Sequence, residues 1–241
     1  MLKPAAGTPE DAFVVSLFRQ LHALDGDVGF RVPRPIPATD GRWFVDGWQA
    51  WAYVPGATAG VREWPAIVGA SRSFHRAVAR VVRERPSFLG TRDDPWSMGD
   101  RVAWSGEAFD GGGALGDLVS RLQAVMRPVD LPDQLVHGDI GGNVLVEPGL
   151  PPAVIDMAAY WRPAGWAIAV AAADLMAWSG APASILDVDG VGDSQLLARA
   201  LVYRLVTDAI ARRGDAVALE ASRRAHAPVV ELVVVRSASC R

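Results

Sequence analysis

Three short β-type runs, Leu135-Val136, Val144-Leu145-Val146 and Ala153-Val154-Ile155, stand together in a chain that otherwise reads mostly as helix. They constrain the fold more than any other feature. Pro148-Gly149 and Pro151-Pro152 separate the last two runs, so these should close into a hairpin. Between the first two lies His137-Gly138-Asp139-Ile140-Gly141-Gly142-Asn143, a loop that concentrates polar side chains between apolar strand ends. Rigid elements would present those groups, and short strands gathered among helices suit an α+β architecture.

The helical pattern begins at Thr8-Pro9-Glu10-Asp11, which supplies a capping hydroxyl, a proline at the first helical position and early acids. Apolar residues then recur at Val14, Leu17, Phe18, Leu21 and Leu24. Pro33, Pro35 and Pro37 forbid helix from Asp25 to Asp40 and suit an extended connector. Two strands are expected around Trp43-Val45 and Gln49-Val54, divided by the turn Asp46-Gly47, and helical spacing returns from Trp64 to Arg83. Residues 86–113 lack a clean period and read as irregular chain. Helices follow at Leu115–Met126, Gly165–Trp178 (apolar on most faces), Gln195–Arg213, and Ala216–Val235, where Pro228 predicts an interruption.

Of the 241 residues 50% are hydrophobic and 21% charged, with a net charge of -3. That is enough apolar material for a sizeable core, and it leaves no broad basic field for a nucleic-acid backbone. The lone Cys240 allows no intramolecular disulfide, and the start of the sequence lacks the order of a secretory signal. The longest apolar stretch is short and contains Asp174. A soluble cytoplasmic protein that engages neither nucleic acid nor membrane is expected.

Asp156 follows Asn143 by thirteen positions, at the end of the third β run, and a hairpin turning at Pro148-Gly149 returns it beside Asn143. An amide oxygen and a carboxylate suit Mg²⁺, which takes hard oxygen ligands, keeps several waters and accepts substrate phosphates to complete its shell. Asp139 is then left to act as a base. A different reading takes His137, Asp139 and Asp156 as ligands of a hydrolytic metal site. Asp110-Gly111-Gly112-Gly113 is a surface connection, since no strand precedes it and no Lys-Ser or Lys-Thr follows. His22, His75 and His226 lack partners at metal-ligand spacing and read as surface or packing residues.

His-Gly-Asp, then Asn, then an apolar strand ending Ile-Asp resembles the aminoglycoside phosphotransferase branch of the protein-kinase-like fold. The resemblance implies a two-lobe α+β protein with a truncated N-terminal lobe and a mainly helical C-terminal lobe. Residues 1–56 would be the partial nucleotide-side lobe and hinge, and 57–241 the lobe with the catalytic loop and metal site. It implies an ATP- and Mg²⁺-dependent transfer to a hydroxyl of a small-molecule acceptor, with GTP as the other possible donor. Asp139 would be the catalytic residue, and Asn143 and Asp156 would hold the metal. His137 would be structural at the base of the loop, and Asp174 would brace it.

In the same resemblance Lys3 corresponds to the strand lysine that contacts the phosphates, and Glu10 to its carboxylate partner. Trp48 to Gly56 resembles the interlobe strand and hinge, with Ala50, Trp51, Ala52, Tyr53 and Val54 around the adenine. The acids Asp93, Asp94, Asp100, Asp110 and Asp117 would draw a cationic acceptor. The sequence departs from the pattern twice. Lys3, the single lysine of the chain, lies too early for two preceding strands and a phosphate-covering loop, and Asp139 and Asn143 are four apart where the pattern has five. Gly141-Gly142 should absorb the shortening through positive φ. These departures motivate a second expectation, a catalytically degenerate kinase-like binding protein. By itself, a carboxylate inside the apolar helix at Asp174 needs donors, and the amides of the 137–143 loop are its expected partners.

Overall fold

The computed structural model describes residues 1–24, 28–107, 109, 111, 113–188 and 190–239. Asp25, Asp110, Gly112 and Cys240, which entered the sequence reading, lie outside them. The chain forms two compact units, Met1–Gly90 with Pro132–Ala167, and Thr91–Leu131 with Ile168–Arg241. Contact density thus groups the 137–156 motif with the N-terminal segment, along a different line from the division at residue 56.

In the first unit, β1 (Leu2–Pro4), β2 (Pro35–Ile36) and β3 (Trp48–Trp51) form an antiparallel sheet in the order β1-β3-β2, with Lys3 opposite Gln49. Of the two expected strands only the second forms, and it ends at Trp51 rather than Val54. The segment around Trp43-Val45 is reduced to a single bridge, Val45 to Trp48, because Asp46 (φ 49°) and Gly47 (φ 80°) turn the chain back immediately. Helix α1 (Pro9–His22) starts as the sequence requires. Thr8 Oγ1 accepts from the Asp11 amide at 3.1 Å and Asp11 Oδ2 accepts from the Thr8 amide at 3.0 Å. Its buried face carries Val15, Leu17, Phe18 and Leu21, and Phe18 meets the Trp51 ring edge-on at 5.4 Å.

The chain leaves β3 through residues 52–56 and enters β4 (Ala57–Thr58), which pairs with β6 (Val144–Val146); β6 pairs in turn with β7 (Ala153–Val154). The expected hairpin is therefore present, in register Val144 to Val154. The connector is stitched to it, with the Arg31 amide donating to Pro152 O and the Val154 amide donating to Arg31 O, both at 2.8 Å. A further strand pair, β5 (Asp133–His137) with β8 (Ala159–Pro163), frames the motif from outside, and helix α2 (Trp64–Val81) packs on β5, β6 and β7. Ile67, Phe74 and Val78, all fully buried, make that contact face.

The second unit is helical: α3 (Pro95–Ser105), α4 (Gly113–Gln123), the greater part of α5 (Ala164–Ser179), α6 (Ser194–Ala211) and α7 (Ala216–Ser239). α6 contacts α3, α4 and α7 and is buried almost all round, which is why its sequence carries apolar residues on every face. Two expectations are corrected here. Residues 95–105 are helix, capped by Asp94 Oδ1 accepting from the Ser97 amide at 2.8 Å. The hydrophobic period is silent because the face toward α6 is built from small residues. A Cβ on Gly99 would lie 2.6 Å from Tyr203 O. Pro228 does not interrupt α7, which runs through it as one helix; burial of Val229, Val230 and Val233 offsets the hydrogen bond that proline cannot donate. Among the described residues no helix is long and apolar enough to cross a membrane.

Candidate active site

Gly138 is where the motif is built. Its amide donates to Ala158 O at 2.9 Å, so the chain passes hard against β8, and a Cβ there would lie 2.3 Å from the Tyr160 ring. Only glycine fits so close an approach. His137, fully buried, is fastened at three points. Its amide donates to His75 Nε2 at 3.0 Å, its Nε2–H donates to Ile155 O at 2.9 Å, and its Nδ1 accepts from the Asp139 amide at 3.1 Å. The ring therefore ties the strand before the loop to the strand that delivers Asp156. Both ring nitrogens are engaged within the protein, so the reading of His137 as a metal ligand is corrected. Among the described residues no group of three or more His, Cys, Asp or Glu could hold a metal.

His75 was read as a packing residue, and it is one, with a specific task. Its Nδ1–H faces Ser71 Oγ at 3.1 Å, leaving Nε2 as the acceptor for the His137 amide, while Gln134 Nε2 donates to His75 O at 2.9 Å. Burial, and next the neighbouring His137, push the His75 pKa down to about 3. Burial also lowers that of His137, opposed by the Ile155 carbonyl and by Asp139 and Asp156. Both rings are neutral at neutral pH.

Across the loop, Asn143 Nδ2 donates to Asp139 O at 2.7 Å and to Asp139 Oδ2 at 3.2 Å. Using Nδ2 this way turns Oδ1 to the other side, where no described residue donates to it. The short spacing is absorbed by a turn in which the Asn143 amide donates to Ile140 O at 3.1 Å. Neither Gly141 nor Gly142 is among the residues of positive φ, contrary to expectation. The unusual backbone sits instead at Asp156, with φ 51°, directly after the Ile155 amide has donated to Asn143 O at 3.0 Å. A left-handed non-glycine residue at this point costs energy and aims its side chain where a regular strand would not.

Asp156 is exposed, and its carboxylate pairs with the Lys3 ammonium. Both line a cavity of about 340 Å³, together with Glu10, Trp51, Ala52, Tyr53 and Val54. Ala50 is not on its wall; alternation along β3 turns it to the opposite face. The Trp51 and Ala52 amides are taken by Met1 O at 2.9 Å and Arg34 O at 2.8 Å, whereas those of Tyr53 and Val54 lie beyond the strand and donate to no described backbone carbonyl. Gln49, placed on the strand but not among the expected site residues, also lines the cavity.

Asp174 lies in the second unit. Its carboxylate accepts from Arg204 Nε at 2.9 Å and from Arg204 Nη2, a two-pronged pair that no sequence signal announced. The acids at 93 and 94 serve their own helix, Asp94 as its cap and Asp93 in an ion pair with Arg101 at 3.7 Å.

No protein-family model and no curated protein matches the sequence. Solved structures do. The chain superposes on spectinomycin phosphotransferase APH(9)-Ia, solved with ADP and spectinomycin, with a TM-score of 0.58 and 18% identity over 98% of this chain and 85% of that one. It superposes on a thermostable mutant of aminoglycoside phosphotransferase APH(4)-Ia, in its apo form, with a TM-score of 0.54 and 16% identity over 90% of this chain and 82% of that one. The α+β chain therefore has the fold of the aminoglycoside phosphotransferases.

Proposed function

We propose that this protein is an ATP- and Mg²⁺-dependent phosphotransferase acting on a hydroxyl of a small molecule, with residues 1–56 as its nucleotide-side lobe and hinge. One observation carries the reading: Asp139 and Asn143 touch, their loop runs into the hairpin that ends at Asp156, and Asp156 shares a cavity wall with Lys3. The fold supports it, and the solved relative that holds ADP and spectinomycin binds a nucleotide and a small molecule together.

The donor set fits magnesium. Asn143 Oδ1 takes no hydrogen bond from the described residues and Asp156 adds a carboxylate, a sparse all-oxygen pair of the kind that ion accepts when phosphates complete its shell. Bound there, it would neutralise charge on the phosphate oxygens. Lys3, exchanging Asp156 for a phosphate, would steady the same charge, and Glu10 would hold the lysine in place. The free amides of Tyr53 and Val54 would bind the base edge. Asp139 would accept the acceptor's hydroxyl proton as its oxygen bonds to the terminal phosphorus and ADP departs.

The test is ADP release from ATP with Mg²⁺ across a panel of hydroxylated small molecules, run beside thermal stabilisation by the nucleotide. Asp139→Asn should lower turnover on the order of a hundredfold or more with nucleotide stabilisation retained, and Asp156→Asn should remove the stabilisation. Absence of any magnesium-dependent stabilisation in the unaltered protein refutes the proposal. Stabilisation without transfer would select the second reading, a degenerate binding protein, which the four-residue spacing of Asp139 and Asn143 favours.

A further inference from the structure

β5 is paired along one edge, by β8. Successive amides of a strand point to opposite edges, so with the Gly138 amide donating to Ala158 O, the His137 amide faces away from β8 and toward α2. A helix spends its mid-helix carbonyls on its own amides, and a buried amide left unpaired is costly. The acceptor must therefore be a side chain, and α2 supplies His75, which is buried. Because a backbone amide can only donate, His75 Nε2 carries the lone pair and Nδ1 the proton. That proton goes to Oγ of Ser71, fully buried one turn back on the same helix, at 3.1 Å. Phe74 packs against both rings, its centroid 5.4 Å from that of His75 and 6.4 Å from that of His137.

We propose that His75 is a positioning residue for phosphoryl transfer: by supplying an acceptor atom at Nε2 it fixes the place of Asp139 through His137. This rests on Asp139 being the proton acceptor of the proposed function, and it goes further in giving a residue of α2 a part in the transfer. The route is continuous. Ser71 sets the His75 tautomer, His75 Nε2 holds the His137 amide at 3.0 Å, and His137 Nδ1 holds the Asp139 amide at 3.1 Å. Burial, which pushes the His75 pKa down to about 3, keeps that first lone pair free of a proton at neutral pH. The nucleotide wall is held by other means. Lys3 and Trp51 stand on β1 and β3, and Asp156 follows the β6 and β7 hairpin. Release of the His137 amide should thus shift Asp139 and spare that wall, and a displacement of about 1 Å can slow a reaction about a hundredfold.

The experiment measures two quantities on His75→Leu, His75→Gln and Ser71→Ala. One is affinity for magnesium-ATP by calorimetry; the other is the single-turnover rate of phosphate transfer to the panel compound that the unaltered protein phosphorylates fastest. His75→Leu removes the acceptor and should slow transfer about tenfold or more, with affinity held within about twofold. His75→Gln offers an amide oxygen near the same place and should recover most of the rate. Ser71→Ala frees the ring to take the other tautomer and should slow transfer about threefold or more; it carries the test if His75→Leu does not fold. Rate and affinity falling together would show a structural role and overturn the inference. So would an unchanged rate in Ser71→Ala, or a Gln variant no faster than the Leu variant. Each of these leaves the phosphotransferase reading standing. No transfer by the unaltered protein to any compound of the panel overturns both.

Discussion

The Lys3 ammonium pairs directly with the Asp156 carboxylate, 153 positions away along the chain. Side-chain exposures of 47% and 53% place the pair in water-accessible surroundings, where such contacts are worth about 0.2–1 kcal/mol. Its weakness suits the proposed function, in which a phosphate and a cation would each displace one partner from the other.

Lys3→Met should therefore change unfolding free energy by less than about 1 kcal/mol, while weakening magnesium-nucleotide affinity on the order of tenfold or more. Denaturant titration reads the first and calorimetry the second. A large stability loss with unchanged affinity would show the lysine to be structural.

His75 and His137 give the fold an acid sensitivity with a defined sign. Their folded-state pKa values lie below the ordinary 6.5, that of His75 at about 3, because burial disfavours the charged ring. Below about pH 6.5 the unfolded chain takes up protons that the folded one refuses, so stability is full above that pH and declines toward pH 3. His75 contributes up to ~1.4 kcal/mol per pH unit within this window, and burial of His137 acts in the same direction. His75→Gln should flatten the curve by about one proton between roughly pH 4 and pH 6, as read from urea midpoints; an unchanged slope would remove His75 from the account.

Gly138 should not tolerate a side chain. Gly138→Ala places a methyl group 2.3 Å from the Tyr160 ring, and overpacking of this kind costs about 1–3 kcal/mol. Gly69, in the middle of α2 with nothing within 4 Å of its would-be Cβ, is the control. Gly69→Ala should raise stability by about 0.5–1 kcal/mol, so the two glycines should move the melting temperature in opposite directions.

Asp174→Ala should lower stability by about 2 kcal/mol, because it leaves the Arg204 guanidinium, with a side chain only 15% exposed, without its paired carboxylate. Adding Arg204→Met should restore part of the loss, since an apolar pair does not carry the desolvation cost of a lone charge. A double variant whose loss equals the sum of the losses of Asp174→Ala and Arg204→Met would mean the two residues are not energetically coupled, which a double-mutant cycle measures directly.

What the sequence alone determined are the features governed by neighbours a few residues apart. The capping box at Thr8 and Asp11, the 3.6-residue rhythm of α1 and α2, and the hairpin around Pro148-Gly149 depend on short-range sterics and hydrogen bonds, and all three are present as read. So is the order Asp139, Asn143, Asp156 on a loop and the hairpin after it. The tertiary structure decided everything that depends on which distant segment lies alongside. α3 was invisible because its packing face is made small, by Gly99 and Ala103, to admit α6, and α7 persists through Pro228 because buried valines outweigh one lost hydrogen bond. His75 fastened to the His137 amide, Arg204 clasping Asp174, and Lys3 on Asp156 are equally long-range facts. Burial and pairing are set by the whole chain's packing, and a residue's own neighbours in sequence carry no record of it.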